Sequence, residues 1–529
     1  MRNQKQMMTA LLLGTAGLAL GGCGADDIAS PGTGGNVTIN NITPPPPPPP
    51  PPPPVSTLVT PAGGCPTIND PQGLTDSGTI TGPTGTYRVC TLPARLAVSS
   101  TLTRSASATA GLLYRLGGRV DVGTDQGPAT TNVGVTLTIE PGVIVYGGTG
   151  QSWLNVNRGN RISAVGTAAR PIIFTSRDNV LGLNNDSSIG QWGGVVLSGR
   201  APVTDCAVLA AAPGTAACER QVEGAVDPAL YGGDKPADSS GRLSFVQIRY
   251  SGFVLSGASE LQALTTGGTG SGTVLNNIQL HNSSDDGAEF FGGLVNAKYL
   301  IVDGADDDGI DTDVGVKANF QYVIAVQRAG AGDSMIEADS DTAFDSQTPR
   351  QNTRMVNFTF VQRNNIGNTS AILLRGGTDY SLVNGVLVSP NTSCLRISRA
   401  LTASAVVDPA TDDLGAPFIR SVAAQCSATP FIGSNGVTAA EVSTIFGAGA
   451  NGNSVTFTPS LSSTFINGTA EAAVAAFNAS TLNSFFDATT YIGAVRDAAD
   501  TWYQGWTCNS GTVSFGTGNT GLCSSIPAI

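Results

Sequence analysis

The sequence is short of charge and nearly without lysine or histidine. Of its 529 residues 12% are charged, against roughly 25% in an average soluble domain. Lysine occurs only as Lys5, Lys235, Lys298 and Lys317, and the net charge is −12. Such a chain lacks the basic face that neutralises phosphates, which argues against nucleic acid as a partner. Low charge also disfavours coiled coils and long solvated helices, which are built from Glu, Lys and Arg. The single histidine, His281, argues against a multi-histidine zinc centre or a histidine-based triad. On the end of a strand, it reads as a surface side chain. Glycine, by contrast, is abundant at 67 residues, and an evenly spread 40% hydrophobic content excludes disorder throughout.

Residues 1–22 read as an export signal. Arg2 and Lys5 precede the apolar stretch "MMTALLLGTAGLAL", which is too short to span a bilayer comfortably. It ends in Leu20-Gly21-Gly22-Cys23, which resembles the lipobox of bacterial lipoproteins. That resemblance implies that Cys23 is diacylated and anchors the mature chain to a membrane. Gly24 in place of Asp, by resemblance to enterobacterial sorting signals, suggests the outer membrane. Residues 23–54 form a Gly- and Pro-rich stalk whose unbroken run Pro44 to Pro54 reads as a polyproline II spacer. At about 3.1 Å per residue it spans about 34 Å.

Removing Cys23 leaves eight cysteines, an even number that fits an oxidising compartment. They fall as near neighbours, Cys65 with Cys90, Cys206 with Cys218, Cys394 with Cys426 and Cys508 with Cys523. Eight cysteines allow 105 pairings, so the sequence does not set connectivity. Four local staples are the simplest arrangement.

The centre of the chain repeats. "LNNIQLHNSSDDGAEFFGG", "AKYLIVDGADDDGIDTDVG" and "FQYVIAVQRAGAGDSMIEAD" each carry an apolar strand, a polar Asp/Asn/Gly turn and a second short strand. "VNFTFVQRNNIGNTSAILLRGG" and "YSLVNGVLVSPNTSCLRIS" continue the pattern. Gly287 to Gly309 is 22 residues, Gly309 to Ser334 is 25 and Ser370 to Ser393 is 23. That period with short strands predicts an all-β, right-handed parallel β-helix rather than a sandwich or a propeller. Tight coil corners explain the glycine. The expected organisation is a β-helix domain over 55–434, including an N-terminal cap over 55–129, and a C-terminal cap over 435–529. Residues 202–242 read as an excursion. The cap segments "TAAEVSTIFGAG" and "TAEAAVAAFNASTLNSFF" read as short helices opened by a capping Thr.

"IEPGVIVYGG", "GTAARPIIFTS", "GQWGGVVLSGRAPV", "SSDDGAEFFGGLVNAKYLIVDGADDDGIDTDVG" and "FFDATTYIGAVRDAADTWYQGWT" resemble a family of predicted Gram-negative surface lipoproteins with a right-handed β-helix. The resemblance covers most of residues 135–510. It implies fold and location without a settled activity, and a TonB-dependent receptor as a partner.

One constellation carries chemistry. Asp285, Asp286 and Glu289 precede Asp307, Asp308, Asp311 and Asp313 by one coil, and Asp333 and Glu337 follow in the next. Stacked in register, Asp286, Asp308 and Asp333 would form one ladder, with Glu289 over Asp311. Carboxylates about 4.8 Å apart repel by roughly 3–4 kcal/mol at an effective dielectric near 20. Three readings follow. The aspartates cap their own turns and stay solvated; or Asp285, Asp286, Glu289, Asp307, Asp308, Asp311, Asp313 and Asp333 hold Ca²⁺; or Asp286, Asp308 and Asp311 act as acid and base on a glycosidic bond. "SDDGAEF" and "DDDGIDT" resemble the aspartate turns of β-helix polygalacturonases. The later histidine of that family has no counterpart, and "CLRISR", with Arg396 and Arg399, lacks its lysine. Arg328, Arg363 and Arg375 recur in the same coils and are expected to form salt bridges. The leading expectation is a lipid-anchored surface β-helix protein presenting an acidic face to a glycan, a cation or a receptor. A glycan hydrolase or lyase and a structural or adhesive protein are the alternatives.

Overall fold

Strands that recur once per coil at a constant spacing pair in parallel with their counterparts one coil on. A computed structural model describes residues 58–528 except 106, 108–109, 257–258, 341–343 and 365–369. The signal segment 1–22, Cys23 and the stalk 23–54 lie outside the described residues. The fold is a parallel β-helix. Eleven short strands, from Arg95–Leu96 to Phe431–Ser434, stack in chain order into one parallel sheet. A second sheet carries the longer strands, ending in Phe418–Cys426.

From Gly241–Arg249 onward each long strand bends at a single residue with positive φ. Phe245, Asn277, Tyr299, Tyr322, Asn357, Asn384 and Ser421, with φ between 50° and 62°, occupy that corner. Their neighbours pair in direct register, Ser244 on Asn276 and Leu300 on Val323 on Phe358. In earlier coils the two arms are separate strands, such as Arg161–Val165 and Ile172–Ser176, and Gly241–Arg249 pairs with both. A left-handed tyrosine is costly. Here Tyr299 and Tyr322 stack with ring centroids 4.9 Å apart, which offsets part of that cost.

Alternation places one set of side chains inside and one outside. Ile310, Ile336, Ile372 and Leu395 stack inward as one row of the core. The coils begin earlier than expected, because Arg95–Leu96 and Arg119–Val122 already belong to the eleven-strand sheet. The end is covered by Thr75–Gly82, antiparallel to Gly85–Thr91, which protects an open edge. The four disulfides form as the near-neighbour pairs Cys65–Cys90, Cys206–Cys218, Cys394–Cys426 and Cys508–Cys523.

The C-terminal region is more than a cap on the last coils. Helix Ala439–Phe446, opened by a Thr438–Glu441 capping box, sends Val442 and Phe446 into the solenoid core. The second Ala-rich stretch is helical only over Thr469–Ala472 and a 3-10 turn at Ala479–Thr481, and Gly468 rather than Thr469 is the N-cap. Tertiary bonds override its propensity: the Asn384 amide accepts the Phe477 N–H (2.7 Å) and donates to the Phe477 carbonyl (2.9 Å). The chain then runs back along the outer face of the long strands as a strap. Phe465, Val495 and Trp506 pack on Ile301 and Ile324, and Ile526 reaches Val59, Ile144 and Ile173 in the first coils. His281 lies beneath this strap and is fully buried, not on the surface: its Nδ1 is 2.6 Å from Asp303 Oδ2. Buried Arg249 donates to the strap carbonyls of Cys523 and Ser525 (3.1 and 3.0 Å). No helix among the described residues is long and apolar enough to cross a membrane.

Candidate functional site

Outward residues of three successive short strands, Glu289, Asp311 and Glu337, line the site. Thr265, Glu289, Asp311 and Glu337 stand on one another in register, so Glu289 does lie over Asp311. In the turn before each strand, Asp286 Oδ1 accepts the Asp308 N–H at 2.8 Å, and Asp308 Oδ1 accepts the Ser334 N–H at 2.5 Å. These bonds span 22 and 26 residues. The third rung of the turn ladder is therefore Ser334, not Asp333. The longer coil puts Asp333 above Asp307, whose carbonyl accepts the Asp333 N–H. Asp333 is absent from the groove lining.

The result is a groove of about 500 Å³ lined by twelve carboxylates and one guanidinium. Asp285, Asp286, Asp306, Asp307 and Asp308 come from the turns, and Glu289, Asp311, Asp313, Glu337 and Asp339 from the strands and their ends. Two further carboxylates arrive from outside the repeat. Glu223 belongs to the 202–242 excursion, whose Val203, Val222 and Tyr231 cover the outer face of the sheet beside Phe291. Glu260 comes from the hairpin Val254–Ser256 with Ser259–Glu260. Arg375 pairs with Glu337 and with Asp339 (2.9 Å). Arg328 pairs with Asp306 at the rim, whereas Arg363 turns away and donates to Thr512 of the strap.

Even with Arg328 on Asp306 and Arg375 and Arg399 on Asp339, the twelve carboxylates leave a large charge imbalance, and burial intensifies it. Desolvation, reinforced by Asp307 and Glu260, pushes Asp285 up to about 7. Desolvation pushes Asp313 to about 7 as well. Asp286, Glu289, Asp308 and Asp311 rise well above the usual carboxylate range, through burial first and their acidic neighbours second. Asp333, outside the groove, is raised by burial and by Asp307 to about 6.

Two triads bring oxygens together. Oxygens of Asp285, Asp286 and Asp307 lie within 4.8 Å of one another, and so do those of Asp286, Glu289 and Asp311. Asp286 is common to both. Glu289 is only 9% exposed, lines the groove and has no hydrogen bond or ion pair among the described residues. An all-oxygen donor set with no histidine or thiol fits a hard divalent cation of the calcium or magnesium class and not zinc. Of the residues expected to bind metal, seven of eight converge, and Asp333 does not. Glu337 and Asp339 replace it. Glu337 follows Ser334 by the same spacing that separates Glu289 from Asp286, a signal that emerges once Ser334 replaces Asp333 in the ladder. Glu223 and Glu260 lie in insertions, where no repeat points to them.

The chain matches the sequence model of the pectate-lyase-like β-helix domain family over residues 122–507. It belongs to that family. The matched span covers the solenoid from its second short strand through most of the strap, with the whole acidic groove inside it. No curated protein and no solved structure matches the chain.

Proposed function

We propose that this chain is an exported, lipid-anchored β-helix protein whose groove binds two divalent cations of the calcium class and, through them, an acidic glycan. The observation that carries this reading is the pair of carboxylate triads sharing Asp286 in a groove of twelve anions and one guanidinium. Without counter-charge such a groove repels a polyanion; a bound cation gives an acidic sugar a local positive centre to coordinate. Asp285, Asp286 and Asp307 would hold one ion, and Asp286, Glu289 and Asp311 the other. The cation supplies positive charge to an acidic sugar, while Arg375 is held by Glu337 and Asp339. Calorimetric titration with Ca²⁺ at pH 7 is expected to show two sites in the wild type. Glu289→Gln should lose one site, and Asp286→Asn should weaken both. Absence of heat in the wild type would remove the proposal.

A catalytic reading rests on a different observation: Asp286, Asp308 and Asp311 are neighbouring carboxyls whose proton affinity is raised by burial and by one another, the arrangement a paired acid and base on a glycosidic bond requires. Release of oligosaccharide from polygalacturonate, lost in Asp308→Asn, would support it. Four disulfides are consistent with an oxidising compartment outside the cytoplasm. Anchoring through Cys23 at the outer membrane predicts labelling by an alkyne fatty acid, and Cys23→Ser must abolish that label. A TonB-dependent receptor that co-purifies from solubilised membrane would identify the protein partner.

A further inference from the structure

The geometry points to a second ligand site, for a small organic anion, where the strap meets the first coils. Most basic side chains among the described residues are engaged by carboxylates, including those of Arg158, Arg200 and Arg350. Arg104 and Arg170 are not. Neither guanidinium has an ion-pair or hydrogen-bond partner among the described residues, and both line a cavity of about 640 Å³. Glu140 accepts the Arg104 backbone N–H at 3.0 Å and pairs with neither guanidinium. The two side chains flank a single glycine: a Cβ built on Gly142 would lie 3.2 Å from Cδ of Arg104 and 3.5 Å from Cβ of Arg170.

The cavity has two dissimilar walls. Ile144, Pro171 and Ile173, from the turns and strands of the early coils, form an apolar floor. Gly518 to Gly521 and Pro527 of the strap close the other side. That strap loop is held in place, since the Thr520 hydroxyl accepts from buried Gln247 (3.0 Å) and Arg249 (3.2 Å). The volume falls within the range of about 300–1,000 Å³ typical of small-molecule sites. Two unpaired guanidiniums select a carboxylate or a phosphate, and the apolar floor selects a ligand with a hydrocarbon flank. The cavity is distinct from the acidic groove, which lies on the eleven-strand sheet. A ligand here touches segments more than 300 residues apart in sequence, so it would tie the strap to the coils and raise stability as it binds.

Calorimetry and thermal melts with octyl phosphate, octanoate and inorganic phosphate test this. Octyl phosphate or octanoate is expected to bind saturably, more tightly than inorganic phosphate, and to raise the melting temperature. The octyl phosphate and octanoate arms separate a phosphate from a carboxylate head. The Arg104→Gln/Arg170→Gln double variant should weaken binding by about tenfold or more, with the calcium titration of the groove unchanged as the control for folding. Binding of neither octyl ligand to the wild type, affinity no better than that of inorganic phosphate, or affinity that survives in the folded double variant would overturn the assignment.

Discussion

In EDTA the protein is expected to melt several degrees higher at pH 5 than at pH 8, and calcium to remove most of that difference. Ordinary aspartates titrate near about 4 in an unfolded chain, whereas burial among like charges holds Asp285 and Asp313 at about 7. Asp286, Glu289, Asp308 and Asp311 are raised as well. Between these limits the native state binds more protons than the unfolded state, so stability falls as pH rises. The contribution is fully present below about pH 4 and is lost through the folded value near 7. This slope is the reverse of acid denaturation. A divalent cation replaces the protons with fixed positive charge and stabilises by mass action. Asp286→Asn removes a charge repelled by both triads, so it should raise the melting temperature in EDTA at pH 8. The same substitution should abolish most of the calcium increment. Identical melting of the wild type at both pH values in EDTA would sink the account, as would an undiminished calcium shift in Asp286→Asn.

The second large effect is expected far from the groove. His281 and Asp303 are both fully buried beneath the strap, 2.6 Å apart. Asp303 also accepts from Gln279 (3.1 Å) and from Ser510 of the strap (3.3 Å). Breaking a buried, hydrogen-bonded pair by removing one partner costs about 3–5 kcal/mol. Asp303→Ala should therefore destabilise by that amount in urea unfolding, with the strap becoming sensitive to protease before the coils do. The next residue in the same outward row, Val326, packs against the strap through contacts alone, so Val326→Ala should cost less. A loss of under about 1 kcal/mol in Asp303→Ala, well below that range, would show that the strap does not depend on this network.

The fold was legible because its signal is periodic. A 22- to 25-residue recurrence of strand, acidic turn and strand, with glycine at the corners, leaves a parallel solenoid as the packing that satisfies every strand edge. The disulfides join near neighbours in sequence, the simplest arrangement of eight cysteines, and two of them lie outside the repeat, Cys206–Cys218 in the excursion and Cys508–Cys523 in the strap. The strap was not legible. Its anchors are Asn384, Asn357, Gln247 and Arg249, ordinary polar residues on strands, and nothing local marks them as buried. His281 was misplaced on the same ground: a strand-end histidine faces water unless a distant segment covers it.

For the site, the sequence alone determined that Asp286 and Asp308 share a ladder and that Glu289 lies over Asp311, because equal spacing in successive coils implies equal height. It could not place Asp333. One residue of difference in a loop shifts a side chain by a full register step, and only backbone pairing reveals which residue the loop absorbs. Tertiary structure alone decided that Glu223 and Glu260 join the groove lining and that Arg375 is the one guanidinium lining it among the described residues. Periodicity orders what repeats; the insertions and the strap that set burial, and with it the charge state of the groove, obey no period.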